Sequence, residues 1–374
     1  MIIFLLTFLC LYSGINFYAF ARVRSIFHLH WAVQIAVIIL LILMILAPLT
    51  VRLAENLHFE EAAKAIAYIG YLWMAFMLLF FLLGVSFDVL RYLAGIFYPG
   101  AKKMPLNTVF FCLTIFLSLL LVVYGFWDAQ RLRVKNLVIQ TDHFLPNDGK
   151  IRIVQISDVH VGLIIRGERL QLVVDAVRQA NPDILVSTGD LLDGELDNVM
   201  PEAQRLFSVK PVFGKYAVMG NHEYYAGIKR SLEFTQSAGF EVLRDEVRQV
   251  AGISIFGADD ITATRLDIRK NKNTFDELLA SGNNKGFVLL LRHQPFVSEK
   301  EKFNLQLSGH THGGQLFPFQ FITRLFFKNN YGYYDLMKNK SLYVSGGTGT
   351  WGPPVRTFAP PEITIIDIIG KKAN

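Results

Sequence analysis

Four long stretches of the chain carry no charged side chain: residues 1–21, 31–51, 65–87 and 105–127. Each runs to about 20 residues or more, enough for a helix to cross ~30 Å of hydrocarbon. Their apolar positions do not alternate and do not keep to one helical stripe. A helix that is apolar all round belongs in a protein interior or a bilayer. Four such runs in succession would be unusual as core helices of a water-soluble domain, so the pattern predicts four transmembrane helices. The first run lacks a basic segment ahead of its apolar part and shows no small-residue cleavage site, so it reads as a retained helix and not as a signal peptide.

Past residue 127 the texture changes. Residues 133–140 alternate like a strand, and Pro146, Asn147, Asp148 and Gly149 punctuate a turn. Short β-rich runs at 151–156 and 184–187 flank a segment, 170–180, with helical periodicity. Strand, loop, helix, strand is the rhythm of an α/β layer fold. The expected division is therefore a four-helix membrane domain over 1–128 and a globular domain over 129–374.

Composition sharpens this division. Hydrophobic residues make up 52% of the chain and charged residues 18%. That apolar excess is concentrated in the first third, which leaves the remainder with an ordinary balance. The net charge of +6 suits anionic lipid headgroups or a phosphate-bearing substrate. No dense Lys/Arg tract is present, so nucleic acid is not an expected partner. The two cysteines, Cys10 and Cys112, both lie in apolar runs, so no disulfide framework is expected. Lys and Arg do not orient the chain. Arg22, Arg24, Arg91, Lys102 and Lys103 on one set of connections balance Arg52, Lys64, Arg131, Arg133 and Lys135 on the other.

The chemistry gathers where apolar runs end. Run 151–156 leads into Asp158 and His160; 184–187 into Asp190 and Asp193; 216–219 into Asn221 and His222; 287–291 into His293; and 305–307 into His310 and His312. Five times a strand-like run stops at a residue able to bind a metal, and the C-terminal edge of an α/β sheet is where sites are built. Five of the nine histidines fall in these motifs. Asp, Asn and His together suit Zn²⁺, Mn²⁺ or Fe better than Ca²⁺ or a thiolate-held ion. A structural mononuclear site needs only four ligands, fewer than this set offers.

The order Asp-x-His, Gly-Asp-x-x-Asp, Gly-Asn-His-Glu, His, Gly-His-x-His resembles the calcineurin-like metallophosphoesterase superfamily over about residues 131–374. Within it, Asp-Val-His-Val-Gly at 158–162, Gly-His-Thr-His-Gly-Gly-Gln at 309–315 and the tail from Tyr343 to Ile363 resemble membrane-bound bacterial members and transmembrane proteins with a metallophosphoesterase domain. The resemblance implies a sandwich of two mixed β-sheets flanked by helices, and two divalent cations (Mn, Zn or Fe). It implies that Asp158, His160 and His312 hold one ion, that Asn221, His293 and His310 hold the other, and that Asp190 bridges them. It further implies that His222 faces the phosphoryl group with Asp193 orienting it. The implied activity is hydrolysis of a phosphomonoester, phosphodiester or pyrophosphate in a multi-pass protein of a bacterial plasma membrane.

Arg166 and Arg292 are the basic residues nearest the motifs, and each is read as a salt-bridged arginine ahead of a phosphate grip. Stretch 316–334 mixes many aromatics with Arg324 and Lys328. It fits either an apolar subdomain packed on the sandwich or against the helical domain, or a lip at a membrane interface that admits lipid-linked phosphoesters. Two other readings stand beside the hydrolase. One is a UDP-diacylglucosamine-type pyrophosphatase of lipid A synthesis, which requires a cytosolic site. The other is a non-catalytic interaction scaffold, which the complete ligand set disfavours. A transport role for the helices is disfavoured by how few ionisable residues their interiors hold.

Overall fold

A computed structural model describes residues 2–97, 106–194, 199–269, 272–281, 286–336 and 339–372. The chain divides into two compact units. One comprises Met1–Trp127 with Gly352–Thr357, and the other Asp128–Trp351 with Phe358–Asn374.

The first unit contains α1 (Ile2–Ile26), α2 (Trp31–Asn56), α3 (Glu60–Phe97) and α4 (Leu106–Asp128). All four are long and apolar enough to cross a membrane. Large apolar side chains point outward along them, including Ile39, Leu43, Phe116 and Leu119. In water that surface would be strongly disfavoured, whereas in hydrocarbon it is at home. Three helices run well past the uncharged stretches. Helix α1 continues through Arg22 and Arg24, α2 through Arg52 and Glu55, and α3, with 38 residues, through Asp88 and Arg91. Uncharged length alone undercounts a helix whose charges find partners. The Arg22 guanidinium lies 2.7 Å from the Asp88 carboxylate, which also accepts a hydrogen bond from Tyr18. Trp73 Nε1 donates to the buried Asn16 amide oxygen at 3.2 Å. Lys102, Lys103 and Pro105 lie outside the described residues.

Among the described residues the second unit holds twelve strands: β1 (Arg133–Leu145), β2 (Lys150–Ile156), β3 (Ile184–Ser187), β4 (Lys215–Ala217), β5 (Glu241–Val242), β6 (Glu246–Val250), β7 (Ile253–Gly257), β8 (Phe287–Leu291), β9 (Leu305–Ser308), β10 (Gly332–Asp335), β11 (Ser341–Val344) and β12 (Glu362–Lys372). They form two six-stranded mixed sheets, ordered β1-β12-β2-β3-β4-β5 and β10-β11-β9-β8-β7-β6. The run β2-β3-β4-β5 is parallel, and so are β7-β8-β9-β11; antiparallel pairs stand at β12-β2, β6-β7 and β10-β11.

Strand periodicity explains how the sheets stack. Ile151, Ile153, Ile184, Val186, Leu289, Leu291, Leu305 and Leu307 meet in one fully buried layer between the sheets. Their alternates face the other way. Val154, Ile156 and Leu185 pack with the Glu168–Ala180 helix, while Val288 and Leu290 pack with Phe275 and Leu279 of the Lys272–Ser281 helix. Strands apolar on both faces read as continuous hydrophobic runs and not as alternations, which is why β3 and β8 are legible in the sequence. One buried polar residue crosses the sandwich: Gln155 Nε2 donates to Thr188 Oγ1 at 2.9 Å and to the Ser308 carbonyl at 3.0 Å. Gln155 thereby ties β2, in one sheet, to the β9 end of the other.

Candidate metal centre

The C-terminal ends of β2, β3, β4, β8 and β9 open at the same edge of the sandwich, and each delivers candidate ligands there. The loops are knitted together by backbone hydrogen bonds. Asp158 N donates to Gly189 O, His160 N to Asp190 O, and Gly309 N to His293 O, all at 2.9–3.0 Å. Five of the candidate ligands have left-handed backbone conformations: Asp158 (φ 50°), His160 (53°), Asp190 (49°), His310 (72°) and His312 (51°). Such positions cost an L-residue on the order of 1–3 kcal/mol each and concentrate at functional sites. Here they turn consecutive side chains of Asp-x-His and His-x-His inward together. The close packing leaves no room for side chains on two intervening glycines. A Cβ on Gly309 would lie 1.9 Å from Ser157 Oγ and 2.1 Å from Asp158 Oδ2, and one on Gly220 would lie 2.2 Å from Asp190 Oδ1.

The donors form two adjoining groups. In one, His160 Nε2 and His312 Nε2 face each other at 3.1 Å, and Asp158 Oδ1 is 3.5 Å from His312 Nε2. In the other, His293 Nε2 lies 3.1 Å from His310 Nδ1, 3.2 Å from Asn221 Oδ1 and 3.2 Å from Asp190 Oδ2. Asp190 Oδ2 is also 3.9 Å from His160 Nε2, so one oxygen borders both groups. Ligand bonds of 2.0–2.2 Å place donors on a shared ion about 3 Å apart, which is the spacing seen here. The residues therefore fit divalent cations.

The supporting contacts fix tautomers and rotamers. The His293 ring presents Nδ1 to the Thr188 carbonyl at 2.8 Å, which leaves Nε2 for the centre. Both Asp158 oxygens accept the His310 backbone N–H, and Ser157 Oγ donates to Oδ2 at 2.5 Å. Asp190 Oδ1 accepts the His222 backbone N–H at 2.9 Å, so Oδ2 alone turns to the ligand groups. Asp193 Oδ1 lies 3.4 Å from His222 Nδ1 and 3.7 Å from His160 Nδ1. It serves two imidazoles, and the sequence motif suggested only one.

Charge in this pocket is strongly interdependent. Burial pushes Asp158 upward. Asp190 is held well below the usual carboxylate range: burial opposes this, but His293 and His222 outweigh it. Asp193 is also lowered, because His160 and His222 outweigh its withdrawal from water. His222, despite desolvation, is pushed up to about 9 by Asp190 and Asp193, while burial and the neighbouring His293 bring His310 down to about 4. The pocket has an excess of carboxylate charge that cations would balance.

A calcineurin-like phosphoesterase family model matches residues 151–314. A metallophosphoesterase of Aquifex aeolicus is 40% identical over 261 residues, covering 69% of this chain and 99% of its own length. The chain belongs to the calcineurin-like metallophosphoesterases. A Helicobacter pylori metallophosphoesterase aligns end to end, at 28% identity over 98% of both chains, helical region included. A zebrafish (Danio rerio) transmembrane protein with metallophosphoesterase domain is 32% identical over 68% of this chain and 61% of its own.

Several features of this metallophosphoesterase were not legible in its sequence as site residues. Glu223, next to His222, is buried and accepts three backbone N–H groups, from Gly220 (2.7 Å), Asp190 (3.0 Å) and Leu192 (3.0 Å). It clamps the Asp190 loop to the start of the Asn221–Ala226 helix; a Glu three residues after a helix cap was the available signal. Asp260 caps the Ile261–Arg265 helix and accepts Gln294 Nε2 at 3.0 Å, which steadies the loop that carries His293. The Trp351 ring packs edge-on near His222, with centroids 5.8 Å apart. Arg292 is committed elsewhere: its guanidinium binds Glu301 at 2.6 Å and the Phe296 carbonyl at 2.9 Å, so it is a structural arginine.

Proposed function

We propose that this metallophosphoesterase is a membrane-anchored, two-metal hydrolase of phosphoester bonds. Residues 1–128 act as the anchor and 129–374 as the catalytic domain, in a multi-pass protein of a bacterial plasma membrane. The observation that carries the reading is Asp190 Oδ2, placed between two complete donor groups. Asp158, His160 and His312 hold one cation, Asn221, His293 and His310 the other, and Asp190 bridges; Mn, Zn or Fe suits this nitrogen–oxygen set. Two such ions supply Lewis acidity toward phosphoryl oxygens and water of lowered pKa.

The chain's own residues do the rest. Asp193 orients His222 through Nδ1, which turns the opposite ring edge toward the phosphoryl group. His222 is thereby positioned to deliver a proton to the departing oxygen, a contribution typically of 10²–10⁴-fold. Asp158 and Asp190 keep their acceptor oxygens fixed through backbone N–H donors, so binding requires little reorganisation. Phosphomonoesters, phosphodiesters and pyrophosphates, including lipid-borne ones, form the candidate substrate class. A scaffold role is disfavoured because every ligand position is filled. The test is metal analysis with a substrate panel on detergent-purified protein. Asp190→Asn is expected to lose bound metal and turnover while keeping its circular dichroism spectrum. Full activity in that variant would sink the assignment.

A further inference from the structure

The Phe319–Phe326 helix starts a few residues past His312 and presents its residues the wrong way round for a soluble protein. At 100° per residue, Phe321, Ile322, Leu325 and Phe326 share one face. That face is outward: Phe321 is 56% exposed, Leu325 83% and Phe326 75%. The less exposed residues are Phe319, Gln320 and Thr323, and none of the eight is buried. The helix is held from beneath. The Gly314 position abuts the Gln320 backbone, and Phe317 packs edge-on against both Phe321 and Phe358, with centroids 6.0 and 5.9 Å away. Stretch 316–334 thus combines residues packed on the sandwich, such as Leu316 and Phe327, with an outward apolar face at 321–326.

We propose that this helix is a bilayer-docking element that sets the metal centre at the lipid surface. The proposed occupant is the membrane itself, on three grounds. First, the same chain carries four helices able to cross a membrane, so a bilayer is always within reach at high effective concentration. Second, exposed Arg324 and Lys328 flank the apolar face and match anionic headgroups, while the half-exposed Tyr333 and Trp351 are residues suited to the interfacial zone. Third, the helix is coupled to the centre. Phe327, which ends it, packs against His310 at 5.2 Å between ring centroids, and Trp351 lies beside His222. Seating the helix in the interface would bring a phosphoester at headgroup depth to the centre without leaving the membrane. This last step rests on the hydrolase reading above; the docking does not.

The test uses full-length protein in nanodiscs containing anionic lipid. Leu325→Cys, in a Cys10→Ser, Cys112→Ser background, carries an environment-sensitive fluorophore. Val212→Cys, 79% exposed and just before β4 at the opposite edge of its sheet from the ligands, serves as control. Brominated phosphatidylcholine is expected to quench the label at 325 and spare the one at 212. A label at 325 that behaves like the control would overturn the proposal. So would disulfide cross-linking between copies of the unlabelled Leu325→Cys variant, which would assign the face to a second chain. In a second arm, the double variant Leu325→Glu, Phe326→Glu is expected to lower kcat/KM at least tenfold on a phosphorylated diacylglycerol in the bilayer. Hydrolysis of soluble bis(p-nitrophenyl) phosphate should stay unchanged, and equal losses on both esters would count against docking. If no ester is hydrolysed yet quenching at 325 persists, the hydrolase reading fails and the docking stands.

Discussion

The helical unit and the sandwich place the same residue types in opposite environments. In α2 and α4, Leu43 and Phe116 face outward; in β2, β8 and β9, Ile151, Leu289 and Leu307 are sealed between sheets. The helices therefore rely on a broad property, apolarity on all sides, which many sequences would satisfy. The sandwich relies on position: its central strands have one face for the interior layer and one for a helix, and the loops after β2, β3, β4, β8 and β9 decide what enters the centre. The Phe319–Phe326 helix belongs to the sandwich unit but follows the rule of the helices. That exception is what links the catalytic unit to a lipid surface in our reading.

Substitutions should separate the two regimes. The largest effect is expected at the carboxylate proposed to bridge and its partner: Asp190→Asn and His293→Ala should each lower kcat by about 10³-fold or more and reduce bound metal, measured by elemental analysis. Dialysis against a chelator should reproduce the loss, and adding back Mn²⁺ or Zn²⁺ should restore it. His222→Ala is expected to cost roughly 10²–10⁴-fold in kcat with metal content unchanged, which would distinguish proton delivery from ligation. Gly309→Ala forces a methyl group against Ser157 and Asp158, and overpacking of that kind costs about 1–3 kcal/mol. Its signature should be metal loss together with lowered thermal stability.

The smaller effects address packing directly. Leu289→Ala empties a fully buried position and should destabilise the sandwich by about 2–5 kcal/mol in denaturant titrations. Leu43→Ala, on an outward face of α2, is expected to change stability by less than about 0.5 kcal/mol. Equal losses for the two would show that α2 is packed against protein and would break the contrast between the units.

Much of this was legible residue by residue. Uncharged stretches announced α1 to α4, because a helix in hydrocarbon has no use for polarity on any side. Short β-rich runs announce β2, β3, β8 and β9, with β3 and β8 continuously apolar because they are buried on both faces, and the candidate ligands follow such runs. Strand β1 stood out by alternation. Strand β12, which joins β1 to β2, was seen only as part of a family-like tail, since nothing local to residues 362–372 says which strands it will pair with.

What the sequence determined by itself was therefore local: where apolarity is continuous, which residue types can bind a metal, and where strands stop. Tertiary structure decided which of these features meet. Donors from two different sheets converge on Asp190 because the sheets stack with their ligand-bearing edges aligned, and Gln155 holds that alignment. The left-handed turns at Asp158, His160, Asp190, His310 and His312 are locally unfavourable, so only the surrounding packing can impose them. The outward apolar face at residues 319–326 was likewise undecided by its pattern: helical spacing gathers Phe321, Ile322, Leu325 and Phe326 on one side, but only the rest of the fold determines whether that side meets protein or the exterior.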